Sequence, residues 1–213
     1  MSDNTQINPA GERIAKAICI IFHPLLMPTY GMMLIAFLSS KTVFALPLMV
    51  NLEVIFLFFV LTFLLPALAI YYLFTSKRIG DLDVSDRKQR NTPYVVAMLS
   101  ALVTLYLFGG MYRYLFIVPM ISSYLLCIIA ATIENHFTKV SVHAMACGAM
   151  NSFLFMINLY AEARYFWLFV AGILVSGLVC SARLFLNRHN EFQVLLGFIS
   201  GICITFAAFF VGI

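Results

Sequence analysis

Charge is scarce in this chain. Its 213 residues include 13 Lys or Arg and 9 Asp or Glu, 10% in all, where a soluble domain carries about a quarter. That scarcity excludes an ordinary water-soluble globule. It also excludes a disordered chain, which needs charge and few aromatics. The excess of +4 is too small for a nucleic-acid binder. Tryptophan occurs once. There is no CxxC pair and no Cys/His ligand spacing. Cys19, Cys127, Cys147, Cys180 and Cys203 each sit alone in apolar sequence and read as free thiols at lipid depth. Repeats and low-complexity segments are lacking too, and no cleavable signal is expected, because the first residues are polar and the first apolar run is long enough to be retained. No metal or cofactor is expected.

What is present is apolar surface. Hydrophobic residues make up 63%, with 21 Phe, 11 Met and 10 Tyr. A spanning helix needs about 20 apolar residues. Seven such stretches occur, at about 17–38, 52–74, 94–109, 114–132, 142–159, 165–186 and 192–213. The expected fold is all-α: a polytopic membrane helix bundle of six or seven transmembrane helices. Residues 1–16 would form a polar leader and 17–213 a single integral membrane domain. The expected location is a bacterial inner (plasma) membrane. Pro24 and Pro28 predict a kink or break near His23-Pro24.

Seven crossings place the leader, the long polar loop Thr75 to Pro93, the stretch 134–141 and the cluster 187–191 on one face. Ten of the 13 cations fall there; Lys41, Arg113 and Arg164 fall on the other. The excess of cations assigns the richer face to the cytoplasm.

That face gathers three polar clusters: Asp86 through Pro93, Ser141-Val142-His143, and Arg183 through Gln193. Cations stabilise the spread charge of a phosphoryl group. A histidine serves as nucleophile or as acid and base near neutral pH. Each cluster also has a bland explanation. Arg87, Lys88 and Arg90 can fix orientation or touch anionic head groups. His143 can be satisfied by a neighbouring helix, and Arg183 can snorkel. His23 and His136 have no supporting partners in sequence and read as structural.

The spacing across clusters is more specific. Arg183, five residues, His189, four residues, Val194, two residues, Gly197 resembles the third motif of the type 2 phosphatidic acid phosphatase (PAP2) superfamily. Ser141-Val142-His143 resembles the second motif, and Lys88-Gln89-Arg90 through Pro93 stands where the first would lie. Gln193 replaces the family's aspartate, Ala182 its serine, and Asp83 the lysine seven residues before Arg90. The resemblance covers roughly residues 75 to 200.

It implies a PAP2-like core and a lipid phosphatase without a metal. His189 would attack phosphorus, His143 would protonate the leaving oxygen, and Gln193 would orient His189. Lys88, Arg90, Arg183 and Ser141 would hold the phosphoryl oxygens. The substrate would be a membrane phospholipid or polyprenyl (di)phosphate with its tails left in the bilayer, so no deep aqueous pocket is required. Two alternatives stand beside this. Asp81, Asp83 and Asp86 resemble the aspartate-rich loop of UbiA-type prenyltransferases, which would hold Mg²⁺ against a diphosphate. A non-catalytic PAP2-like protein would bind a head group without turnover. The Gly197-x-x-x-Gly201 pair suits either a homodimer contact or packing within one chain.

Overall fold

The computed structural model describes residues 8–39, 48–111, 116–161 and 164–212. Lys41, Arg113, Glu162 and Ala163 lie outside the described residues. The helices are α1 (Pro9–Ile21), α2 (Met27–Ser39), α3 (Leu48–Phe59), α4 (Leu65–Thr75), α5 (Asn91–Phe108), α6 (Ile117–Phe137), α7 (Val142–Tyr160), α8 (Phe166–Phe185) and α9 (Glu191–Val211). No strand occurs among the described residues. Seven helical stretches are long and apolar enough to cross a membrane, the first and second being Pro9–Phe37 and Leu48–Thr75. The chain is an all-α integral membrane protein.

α1 begins at Pro9, within the stretch read as the polar leader. The Asn8 side chain accepts from the Ala10 amide at 3.0 Å. Pro9 then opens α1 at a position where its missing N–H costs nothing. Glu12 and Lys16 pair at 2.6 Å along the helix. The chain breaks where expected. A 3₁₀ turn, Pro24–Leu26, separates α1 from α2, and His23 caps it by accepting from the Leu25 amide at 3.3 Å. α1 lies across the end of α8. Ala15 and Cys19 pack on Ala182, and Gly11 faces Phe185. α2 continues to the opposite end, where Met32, Ile35 and Ala36 join Ile121, Met156 and Phe209.

The second stretch carries a π-helical turn, Val60–Leu64, just ahead of Pro66. Proline has no N–H to return to the preceding turn. The bulge leaves the Leu61 carbonyl to accept from the Ser100 hydroxyl of α5. Thr62 bonds back to the Phe58 carbonyl at 2.9 Å and lies 3.3 Å from the Thr29 hydroxyl of α2. These bonds satisfy polar groups that lipid cannot.

α6 runs five residues beyond the expected end at 132 and absorbs half of the polar stretch 134–141. One atom of each added buried polar side chain finds a partner, while Glu134 Oε2 and Asn135 Oδ1 stay buried without one. Glu134 accepts from the Ser200 hydroxyl at 2.5 Å, and the Asn135 amide donates to the Arg87 carbonyl at 3.0 Å. α7 and α9 form the closest helix pair. A Cβ on Gly197 would lie 2.5 Å from the Ser141 carbonyl. One on Gly148 would meet the Phe198 carbonyl, and one on Gly201 the Met145 carbonyl. The Gly197-x-x-x-Gly201 pair therefore packs inside the monomer, and the homodimer contact suggested for it has no free surface there.

Candidate functional site

Three loops converge at one end of the bundle. Arg90 ties two of them: Nε donates to the Val84 carbonyl at 3.0 Å and Nη1 to the Val140 carbonyl at 2.9 Å. Arg188 reaches from the third loop to the Ser85 hydroxyl at 2.8 Å and lies 3.7 Å from Asp83. The Ser141 amide donates to the Gln193 carbonyl at 3.2 Å. A common frame thus holds the residues between 81 and 90, around 140, and from 183 to 193.

His189 sits in that frame, 7% exposed. Its Nδ1 faces two oxygens, the Lys139 carbonyl at 3.1 Å and Gln193 Oε1 at 3.2 Å. Both are acceptors, so Nδ1 carries the proton and Nε2 keeps its lone pair. Nε2 is buried and has no partner. Burial first, then the charges of Arg183 and Arg90, lower the His189 pKa to about 4. The ring is neutral at physiological pH. The local reason for Gln193 is the helix start. Asn190 caps α9 by accepting from the Gln193 amide at 2.9 Å, and the Gln193 side chain accepts from the Asn190 amide at 3.4 Å. This capping box aims Oε1 at the imidazole.

His143 has the same electronic arrangement. Nε2 lies 3.2 Å from the Cys19 carbonyl of α1, which makes it the protonated nitrogen of the neutral ring. Nδ1 is buried without a partner. The His143 ring meets the His23 ring edge-on, with centroids 5.5 Å apart. His23 is a site residue that sequence reasoning set aside. Its only signal was position, directly before the proline that breaks the first stretch. Because His23 Nδ1 accepts from Leu25, its Nε2 bears the proton in the neutral form.

Arg183 lies at the centre of these rings. Its charge acts on His23, His143 and His189. The residue is 4% exposed. Among the described residues its guanidinium makes no hydrogen bond and no ion pair, and Nε is buried unpartnered. Nearby cations reinforce the positive field. Burial, then Arg90, Arg183 and Arg188, hold the half-buried Lys139 ammonium below its usual pKa.

A cavity of about 180 Å³ opens beneath this cluster. His23, Asp83, Arg90, His143 and Arg183 form its polar head, and its body is apolar. His189 does not line it. Two other expected residues also fall elsewhere. Lys88 is exposed in a separate recess with Arg87, Asn91, Asn135 and His136, away from Arg90. The reason is the 3₁₀ turn Arg87–Gln89, capped by Asp86, which points neighbouring side chains in different directions. Ser141 is fully buried and caps α7, its Oγ accepting from the Ala144 amide at 3.4 Å. Its amide is engaged by Gln193, so it has no backbone donor for a ligand.

The aspartate-rich loop gives the magnesium alternative no donor set. Asp81 accepts from the Ser85 amide and hydroxyl, Asp86 caps the turn at Lys88, and Asp83 lies beside Arg188. No group of three metal-binding side chains clusters among the described residues. All five thiols are free. No family model, curated protein or solved structure matches this chain.

Proposed function

We propose that the protein is a membrane lipid phosphatase acting through a phospho-histidine, in the manner of the PAP2-type enzymes its motifs resemble, and that it works in a bacterial inner membrane. One observation carries this reading. A buried arginine without a counter-ion stands among three imidazoles, two of which hold unpartnered lone pairs. An uncompensated buried cation costs several kcal/mol. A phosphoryl group supplies the missing charge and accepts from the guanidinium in fork geometry.

The chemistry follows from the protonation pattern. His189 Nε2 attacks phosphorus, and the bond from phosphorus to the lipid oxygen breaks. His143 enters this step protonated, which the bound phosphate's negative charge favours. It gives its Nδ1 proton to the leaving alkoxide. The neutral ring then takes a proton from water as that water attacks the phospho-histidine, and inorganic phosphate leaves. Arg183 and the free edge of Arg90 offset charge on the phosphoryl oxygens through both steps. His23 Nε2–H donates to the same group from the cavity side. The Gln193 amide orients His189 but adds no negative charge, so the imidazolium-like intermediate is less stabilised than it would be beside a carboxylate.

The deciding experiment measures phosphate release by the purified protein from phosphatidic acid, phosphatidylglycerol phosphate and a polyprenyl diphosphate, with and without EDTA. Turnover that survives EDTA and disappears in His189→Ala is expected. A second reading, head-group binding without turnover, draws on the fact that His189 lies outside the cavity lining. It requires lipid-phosphate binding by the wild type and by His189→Ala alike, with no phosphate released by either.

A further inference from the structure

The sequence leads one to expect substrate tails that stay in the bilayer, yet the bundle encloses apolar space directly below the phosphate-binding head. We infer that this cavity is a chain-binding site and that the substrate is a phosphorylated single-chain lipid, an alkyl or isoprenyl phosphate, rather than a diacyl phospholipid. The inference rests on the phosphate reading of the head and adds the part that selects the tail.

Two independent dimensions support it. The first is depth. His143, Ala146, Ala149, Met150 and Phe153 all line the cavity along one stripe of α7. Ten residues separate His143 from Phe153, about 15 Å of helix. An extended chain advances roughly 1.2 Å per bond, a third of the span of one residue, so this depth takes about 12 carbons. The second is volume. Space of this kind holds one water-sized group in about 10–15 Å³, so 180 Å³ takes about 12–18 such groups. Depth and volume therefore agree on one chain of about a dozen carbons. The second chain of a diacyl lipid would have to stay outside this space.

The lining fits that occupant chemically. Below the head come Met120, Cys127, Ile128 and Phe153. Cys127 belongs to a packed cluster with Ala131 and Met145, which line the same wall. The charged lining residues, Asp83, Arg90 and Arg183, all belong to the polar head. A chain ending in a phosphate meets cations at one end and a mostly apolar wall along the rest, interrupted by Ser123 and the unpartnered Tyr124 hydroxyl. Methionine side chains adapt to a flexible tail.

The test uses the full-length protein in mixed micelles, with dodecyl phosphate and dioleoyl phosphatidic acid as probes at equal surface concentration. Two quantities are read: phosphate release, and the rise in thermal midpoint caused by each lipid. Dodecyl phosphate should be preferred by about tenfold or more in kcat/KM, the ratio that a modest fit penalty brings. It should also raise the midpoint where the diacyl lipid does not. Ala97→Phe places a ring in the cavity from α5 and should abolish the dodecyl-phosphate shift. Ala146→Phe does the same from α7, so that one misfolded variant does not decide the outcome. If neither lipid is hydrolysed but dodecyl phosphate still raises the midpoint and Ala97→Phe removes the rise, the chain site stands and the phosphatase reading falls. Equal or better use of the diacyl lipid, or an unchanged dodecyl-phosphate shift in both folded phenylalanine variants, overturns the chain site.

Discussion

Replacing Gln193 with Glu tests the histidine cluster most sharply. The side chain keeps its length, so a carboxylate oxygen would stand where the amide oxygen lies, 3.2 Å from His189 Nδ1. Opposite unit charges at that distance attract by roughly 5 kcal/mol at an effective dielectric of 20. Gln193 is half-buried, and desolvating the new carboxylate takes back part of this. Close opposite charges move a pKa by about 1–3 pH units in practice. His189 starts from about 4, held there by burial and by Arg183 and Arg90. The neutral ring is the nucleophile, so protonation silences it. The wild-type acid limb of kcat/KM should therefore lie near pH 4. In Gln193→Glu it should move up by about 1–3 pH units. Above the limb, turnover should rise, because a carboxylate stabilises the positive charge that develops on the ring.

Stability provides a second readout with its own sign. In the wild type the folded pKa, about 4, lies below the ordinary 6.5. Between those values the unfolded chain holds more protons. Stability therefore falls as pH drops from about 6.5 to about 4, by up to about 3 kcal/mol, and then levels off. The variant's higher folded pKa should shrink that loss. Thermal midpoints in detergent across pH 4–8 follow this directly. An acid limb that does not move while the stability profile does would show that His189 is structural and not the nucleophile. If neither moves, Gln193 does not face His189, and the geometry at the start of α9 is mistaken.

Three further outcomes follow from the same contacts. Arg183→Met should raise the thermal midpoint, because it removes an unpaired buried charge, while phosphate release falls about 10²–10³-fold. His23→Asn keeps a capping side chain ahead of Pro24, so stability should stay within a few tenths of a kcal/mol; His23→Ala should cost about 1 kcal/mol. Both should lower kcat/KM by a similar factor if His23 Nε2–H touches the phosphoryl group. Gly201→Val drives a branched side chain into the Met145 carbonyl and should destabilise by about 1–3 kcal/mol or more. Gel filtration should show an unchanged oligomeric state, since the glycine packs within one chain.

The sequence made the fold legible because lipid imposes a simple rule: a segment crosses as a helix or does not cross. Apolar run length therefore located all seven stretches, and Pro24 located the first break. Helix ends were less legible. Glu134 and Asn135 look like loop residues until Ser200 and the Arg87 carbonyl are in place to bond one atom of each. At the site, Arg183, His189 and Gln193 could be read because they lie within eleven residues of one another, where a loop and a helix start fix their relation. Lys88 could not be placed, because adjacent residues of a 3₁₀ turn diverge and only one of Lys88 and Arg90 can face inward. His23 was invisible for a different reason. Its partners are 120 and 160 residues away, and only the reversal of α1 across the end of α8 brings it to His143 and Arg183. The cavity leaves no local trace at all, being the space between six helices, α2 and α4 through α8.

The arrangement of α1 explains how Arg183 can be enclosed without a carboxylate partner. The carbonyl of Cys19 fixes the His143 tautomer. The helix that supplies it rests on Ala15 and Cys19 against Ala182, one residue before Arg183. Small side chains on both helices let α1 approach closely enough to cover the guanidinium. A cation so enclosed is unstable unless something negative arrives. Packing alone would favour methionine or leucine at position 183, and a purely structural arginine would have drawn a carboxylate partner. Asp83 is available at the cavity head, but it lies beside Arg188, 3.7 Å away. Arg183 is left with one charge to neutralise, in a cavity whose lining beyond the polar head is mostly apolar. An anion carrying an apolar tail meets both requirements at once, and neither a soluble phosphate ester nor an uncharged lipid does.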